Sequence, residues 1–342
     1  MDGRPPRILV TGVAGYIGSH VALAGLDSGW EVVGLDDFSA GSPEAVPEGV
    51  RLHVMDCAAD EVATLLEAER PDAAIHLAGR VDVAESMEDP LAYYAANLGS
   101  AVRFFRHASR ARVPVVFAST AAVYDGSGPE PAAEDAPLGP SSPYGRSKLA
   151  AEWALRDAGE AAGLAHVILR FFNVAGADPA LRAGPRPGSS HLVTKVCEAA
   201  LRPGGTITIN GTDYDTPDGT CLRDFVHVSD LAEALLTSVR HLVARGESLT
   251  LNCGYGRGYS VREVIDGARA IAPAAFAVSE GPRRPGDKVA VIARADALRH
   301  RFGWTPRHDD LGAILGTAMA WEEARSGAPE AVRPGRAGAA AG

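Results

Sequence analysis

The sequence predicts an α/β protein: a doubly wound parallel sheet, with a smaller α/β unit interleaved in its second half. Three observations carry this. Short apolar runs alternate with helix-like stretches through the first half, the pattern of strands that return through helices to one parallel sheet. The first run, Arg7-Ile8-Leu9-Val10-Thr11, passes through Gly12-Val13-Ala14-Gly15-Tyr16-Ile17-Gly18 into a helical stretch. After about residue 175 the rhythm breaks into short elements separated by Gly- and Pro-rich segments.

Taken in order, the first strand covers 7–11 and its helix 19–28, with Gly29 placed to close it. Glu31-Val32-Val33-Gly34-Leu35 forms the second strand and ends at Asp36 and Asp37. Further strands are expected at 52–55, 73–78, 115–118 and 167–169, and helices over 60–69, 90–110 and 143–162. Asp89 before Pro90 reads as an N-cap followed by proline in the first turn, where its missing N–H costs nothing. In the second half, 177–190, 211–219, 254–258 and 281–286 are irregular, with returns to the sheet near 225–228 and 249–252. The division expected is a nucleotide-binding unit of 1–176 plus about 225–256, and a substrate unit of about 177–224 plus 257–325. Residues 326–342, rich in Ala, Gly and Pro, read as a disordered tail. Ligands of such sheets bind at the carboxyl ends of the strands, where Asp36, Asp56, Ala78 and Ser119 fall.

At 342 residues the chain can bury one large core or two modest ones. Its net charge of −10 argues against nucleic acid or an acidic membrane as the main partner. Cys57, Cys197, Cys221 and Cys253 lie far apart, which suits reduced thiols in a cytoplasmic protein better than disulfides or a zinc site. No His/Asp cluster has metal spacing, so no metal is expected. The N-terminus reaches the first strand without the apolar stretch of a signal peptide, and no run approaches the ~20 apolar residues of a membrane span.

Strand, glycine-rich turn and helix form the context of a dinucleotide fingerprint, with glycines for the tight turn and helix N–H groups for a pyrophosphate. The spacing here is G-x-x-G-x-x-G rather than G-x-G-x-x-G. A carboxylate at Asp36 suits ribose hydroxyls and would repel a 2′-phosphate, so NAD is expected over NADP. Farther along, Tyr144 and Lys148 stand four residues apart, on one face of a helix begun by Pro143. A cation there would favour phenolate and bring Tyr144 below its ordinary ~10, making it an acid/base near neutral pH. Taken alone, the pair also fits an exposed helix face, and Asp36 also fits a turn cap. The glycine loop in their company favours chemistry.

With those residues in hand, the chain resembles the extended short-chain dehydrogenase/reductases, and among them the UDP-glucose 4-epimerase (UDP-galactose 4-epimerase) family, from about Arg7 to Trp321. Gly12/Gly15/Gly18, Asp36 and Tyr144/Lys148 are the generic parts. The run from Gly211 to Val228, GTDYDTPDGTCLRDFVHV, is the specific one. Glu85-Ser86 through Tyr93-Tyr94 to Asn97, Leu169 to Asn173 with Gly176-Ala177, and Arg283-Arg284-Pro285-Gly286-Asp287 also match. The resemblance implies a Rossmann-like fold and NAD held by Gly12, Gly15, Tyr16, Ile17, Gly18, Asp36, Asp37, Asp56, Cys57, Ala78, Asn97, Tyr144, Lys148 and Phe172. It implies catalysis by Thr120, Tyr144 and Lys148, with Thr120 and Tyr144 at the sugar. Asn173, Arg223 and Arg284 are implied on the diphosphate of a UDP-sugar and Asp287 on the uridine ribose, with His191, Asn210 and Val291 beside the substrate.

The reaction implied is a reversible, redox-neutral inversion at C4 of a UDP-hexose through a 4-keto intermediate. A related dehydratase would need an acid/base pair after Thr120, where Ala121 and Ala122 stand instead. An epimerase of another UDP-sugar (UDP-GlcNAc/GalNAc, a uronate or a pentose) stays open, because Val291 is small where the family uses residue size to admit or exclude an N-acetyl group. A non-catalytic NAD-binding module is a third reading, disfavoured by the presence of both Tyr144 and Lys148. The chain departs from the family at Val81, where lysine is common, at Asn210 beside the uracil site, and at Asp125, where glycine is usual. His227 reads as a structural strand-to-helix junction. A homodimer through the helices over 90–110 and 143–162 is implied, with Phe104, Phe105 and Trp153 as its apolar surface, although core packing explains these side chains nearly as well.

Overall fold

Seven short parallel strands carry the molecule, largely apolar and buried except for the edge strand at 51–54, as the alternation with helices requires. The computed structural model describes residues 4–126, 130–284 and 286–327. Its main sheet comprises β1 (Arg7–Thr11), β2 (Glu31–Asp36), β3 (Arg51–Val54), β4 (Ala73–His76), β5 (Val115–Thr120), β6 (His166–Phe171) and β10 (Leu249–Cys253), in the order β10-β6-β5-β4-β1-β2-β3. Every pairing in it is parallel.

Alternation along β1 shows how the faces are filled. Ile8 and Val10 join the core under α1 (Tyr16–Asp27) and α8 (Val228–Arg245), whereas Leu9 joins the core under α2 (Glu61–Glu69), α5 (Ser100–Ala111) and α6 (Pro143–Ala162). Helix ends follow the local chemistry. Ser142 caps α6 by accepting from Gly145 N (3.2 Å), Pro143 takes the first turn, and Gly163 leaves at φ +68°.

A third core belongs to α7 (Leu192–Leu201), α9 (Val261–Ile271) and α11 (Leu311–Gly327), packed over short strands. There β8 (Thr206–Asn210) pairs with β12 (Ala277–Gly281). A separate sheet joins β7 (Asn173–Ala175), β9 (Leu222–His227), β11 (Gly258–Ser260) and β13 (Ala290–Val291).

Three expectations need correction. The segment near 225–228 does not return to the main sheet: β9 is the centre of the small sheet. Its polar residues account for this, because the buried Asp224 carboxylate accepts N–H groups from Tyr255 (2.9 Å), Gly256 (2.9 Å) and Ala293 (3.1 Å), which an apolar layer could not supply. The helix over 90–110 is α4 (Pro90–Tyr93) continued by a wide π turn, Tyr94–Gly99, before α5. The π turn presents Asn97 inward. Finally, Ser326 and Gly327 lie in α11, while the rest of the expected tail, 328–342, lies outside the described residues. No helix is long and apolar enough to cross a membrane among the described residues.

Buried neutral histidines make the fold acid-sensitive. Burial pushes His76 down to about 3 and both His20 and His227 down to about 4. Nδ1 of His227 accepts from Ser229 N and its Nε2 pairs with Thr317 Oγ1 (2.9 Å), so it serves the strand-to-helix junction. As pH falls through the ordinary value of ~6.5, the unfolded chain takes up protons that the folded chain refuses, and stability drops until the folded values are reached. Urea unfolding is therefore expected to lose about 3–4 kcal/mol per pH unit between pH ~6 and ~5, and His227→Gln to remove about a third of that slope. Flat stability across that interval would contradict this.

Candidate active site

The strand order reverses between β1 and β4, and the loops after their carboxyl ends border the crevice that this reversal opens. Gly12 holds φ +73°, and a Cβ there would meet Ala78 N at 2.9 Å, so the two loops touch through backbone. Gly15 is the N-cap of α1 and offers no side chain to the first N–H groups, those of Tyr16, Ile17 and Gly18. At Gly18 a Cβ would stand 2.1 Å from Gly12 O, so only glycine lets the helix start this close to the loop. Free helix N–H groups with backbone on all sides make a fitting cradle for a dinucleotide pyrophosphate.

Asp36 ends β2 and is buried. Its two oxygens accept from Ala14 N (2.9 Å) and Phe38 N (2.9 Å), which fastens the glycine loop and leaves further lone pairs for hydroxyl donors. Asp37 is exposed and bonds Ser39. Asp56, also exposed, accepts from Ala58 N (2.8 Å), and beside it burial, then Asp56 and Asp37, push the Cys57 thiol up to about 12. Ala78 N donates to Thr11 Oγ1 (3.3 Å). Asn97 is wholly engaged with protein: Oδ1 accepts from Arg80 N (2.7 Å), and Nδ2 donates to Arg80 O (3.0 Å) and Ser147 Oγ (3.2 Å). It shapes the loop at Gly79, where a Cβ would meet its oxygen at 2.7 Å.

Thr120 ends β5 with its side chain close enough to Tyr144 to favour the phenolate, while its oxygen accepts from Ala122 N (3.1 Å). Tyr144 stands edge-on to Tyr93, with ring centroids 6.4 Å apart. Here the expected electrostatics are corrected. Burial raises Tyr144 above its ordinary value, opposed only by the Thr120 hydrogen bond. Lys148 does not lower it, because its ammonium is spent elsewhere, donating to Ala118 O (3.0 Å) and lying over the Phe117 ring at 4.9 Å. Burial in turn brings Lys148 down to about 8.

The second half supplies a cationic group. Arg223 on β9 donates from Nη1 to Leu222 O (2.8 Å) and Lys288 O (2.9 Å), and from Nη2 to Asp287 (3.0 Å). Arg284 is exposed. With its amide oxygen turned toward that guanidinium, Asn210 accepts from Nε (3.2 Å) and Nη2 (3.0 Å), so this departure from the family anchors an arginine. Asn173 is exposed on β7. His191 precedes α7, its ring 6.0 Å from that of Tyr16 and its pKa lowered by burial. Tyr16 itself donates to Gly176 O (2.6 Å).

Phe172 and Val291 line a cavity of about 200 Å³ with Ala121, Tyr124 and Lys288. Lys288 donates to Tyr124 O, linking the arginine segment to the strand end that carries Thr120, and it also feels the charge of Asp125. Val81 is exposed. Sequence reasoning gave no role to Lys288, Tyr93 or the buried Glu152–Arg170 pair: Tyr93 and Arg170 fall in stretches that match the family, and no motif marks Lys288 or Glu152. Among the described residues no cluster of His, Cys, Asp or Glu could hold a metal ion.

The model of the NAD dependent epimerase/dehydratase family matches residues 8–254. The UDP-glucose 4-epimerase of Azospirillum brasilense is 48% identical over 320 residues, covering 93% of this chain and 92% of that protein. A crystal structure of UDP-glucose 4-epimerase from Brucella ovis in complex with NAD superposes with a TM-score of 0.88 at 35% identity, covering 92% of this chain and 98% of that one. The UDP-Glc/GlcNAc 4-epimerase of Campylobacter jejuni gives a TM-score of 0.81 at 39% identity, covering 93% and 99%.

The contact at Gly18 makes a direct test. Gly18→Ala should destabilise the protein by about 2–3 kcal/mol through overpacking against Gly12 and abolish the gain in melting temperature that NAD gives the parent. An unchanged NAD-dependent shift would show that the helix start does not need this approach.

Proposed function

We propose that this chain, which belongs to the NAD dependent epimerase/dehydratase family, catalyses the reversible, NAD-dependent C4 epimerisation of a UDP-hexose, UDP-glucose/UDP-galactose. The single observation that carries the reading is the meeting of Thr120, Tyr144 and Lys148 beside a glycine-loop cradle, in a chain 48% identical to a UDP-glucose 4-epimerase. It is an isomerase that uses NAD as its cofactor.

Bound NAD supplies a reversible hydride acceptor. The chain does the rest. Tyr144 takes the proton of the 4-hydroxyl and later returns it, and the Thr120 hydroxyl favours the phenolate by donating to it. Lys148, one helical turn on along α6, is the group this reading assigns to the nicotinamide ribose. Arg223 and Arg284 grip the diphosphate, each already oriented, Arg223 by Asp287 and two carbonyls and Arg284 by Asn210. Binding energy concentrated in the UDP half leaves the 4-keto sugar free to turn over while it stays tethered. Ala121 and Ala122 follow Thr120 in a 3₁₀ turn and offer no carboxyl group for dehydration.

A broader substrate range has support of its own. Val291 is a half-buried valine on the 200 Å³ cavity, which leaves room for an N-acetyl group, and UDP-GlcNAc/GalNAc is therefore a second substrate pair. The protein is cytoplasmic on this reading, in keeping with four buried free thiols. It is a homodimer through α5 and α6. The apolar surface needs revision, since Phe104 and Phe105 are buried in the core, whereas Val102 and Trp153 are 43% and 53% exposed.

UDP-sugars deuterated at C4 should give epimers that keep the label, read by NMR, and Tyr144→Phe should bind UDP normally yet lose at least about 1,000-fold in kcat. Washout of deuterium into water, or near-normal turnover of that variant, would overturn the reading. Sedimentation velocity should find a dimer for the parent and a monomer for Trp153→Glu; a monomeric parent would refute the assembly.

A further inference from the structure

Three turns of α6 fasten the last three residues of β5. Tyr144 lies against the Thr120 side chain, Lys148 donates to Ala118 O (3.0 Å), and Glu152 accepts from Ser119 Oγ (2.5 Å). The first two contacts belong to the reaction, and the third has no role in it so far. Glu152 is wholly buried, at 0% exposure. Its carboxylate forms a two-pronged pair with Arg170, itself 1% exposed, through Nε (3.0 Å) and Nη2 (2.7 Å). Arg170 is the β6 residue in register with Ser119, so the pair crosses directly beneath the catalytic strand end. Its Nη1 donates to Tyr124 OH (2.9 Å) and Glu134 O (2.9 Å), and Tyr124 OH donates to Asn252 (2.6 Å) on β10.

We propose that the Glu152–Arg170 pair is a positioning unit for catalysis, with Glu152 supplying the buried negative charge that keeps Lys148 an ammonium and Arg170 limiting that charge. The inference rests on the roles proposed above for Tyr144 and Lys148.

The geometry leaves little else to hold the proton on Lys148. Residues four apart on one helix face are neighbours, so Glu152 lies one turn from Lys148 on the same buried stripe. Around the ammonium stand His76 from β4, kept neutral by burial, and Cys57 from the segment after β3, whose thiol is pushed up to about 12. Tyr144 is raised as well, so it too is neutral in this state. Among the described residues, Glu152, ion-paired with Arg170, is the carboxylate whose charge, with the Cys57 thiol neutral, opposes the burial that brings Lys148 down to about 8. Facing Glu152 from the other side are Arg170 on β6 and Arg156 on α6 (3.3 Å). Too little negative charge would discharge Lys148 at neutral pH, and an unpaired carboxylate would oppose a second negative charge on the Tyr144 phenol, which must ionise.

The test reads Lys148 itself, without turnover. The chain has only three lysines, Lys148, Lys195 and Lys288, so selectively labelled lysine gives three resolvable NMR titrations in the full-length protein. Removing the carboxylate in Glu152→Gln should move the Lys148 midpoint down by about one pH unit. Removing the cation in Arg170→Met should move it up by about one pH unit, while Arg170→Lys should hold it near the parent value. The lower limb of the kcat–pH profile should follow the same directions. If the pair is only a packing device, both single variants loosen the interior, water enters, and Lys148 moves up in each. A rise in Glu152→Gln, or no movement in either, overturns the proposal. Should the buried variants not fold, Arg156→Gln at its half-exposed position removes one cation from Glu152, and Lys148 must move up by about a few tenths of a pH unit. A fall or no change there also sinks it. Because the titration needs no substrate, it can fail while the epimerase reading stands.

Discussion

A sheet buried on both faces can present polar chemistry only along an edge, and that constraint organises the molecule. Ile8 and Val10 are sealed on one side and Leu9 on the other, so a polar side chain inside the strands must be fully partnered, as Arg170 is by Glu152. Four of the strands place the residues proposed for the site where they stop: Gly12 just past β1, Asp36 at the end of β2, Thr120 at the end of β5 and Phe172 just past β6. The reversal of order between β1 and β4 keeps the helices from closing over that edge.

The second half of the chain answers the first by bending away from the sheet. After β6 the chain leaves at Phe172 to form β7, which pairs with β9. From β9 come Arg223, turned toward Asp287, and Asp224, which gathers three backbone donors from later segments. One polar strand thus both ties the interleaved unit together and aims its cation. Lys288 completes the arrangement by spanning from that cationic segment to the carbonyl beside the 3₁₀ turn after Thr120.

Much of this was legible because periodicity and punctuation report local physics. The Pro143–Ala162 helix is marked at both ends, by Ser142 and Pro143 and by Gly163, and its bounds fall as read. The glycine spacing likewise demanded a turn that only glycine permits, and Gly18 bears this out at 2.1 Å from Gly12 O. What stayed hidden depends on the third dimension. The π turn at Tyr94–Gly99 has no helix-breaking residue before its end, and its cause is the reach of Asn97 toward Arg80 and Ser147. Spacing alone does not give the ionisation of Tyr144, because i,i+4 neighbours share a face but Lys148 bends toward Ala118 O instead. Glu152 and Arg170 are 18 residues apart and only the β5–β6 register brings them together.

The four cysteines have a consequence of their own. Each is buried, and burial pushes every one of their thiols upward, Cys57 and Cys197 to about 12. Only the thiolate attacks electrophiles or enters oxidation, and at neutral pH almost none forms at such sites. The four thiols are thereby silent ballast toward peroxide or alkylating agents while the fold is intact.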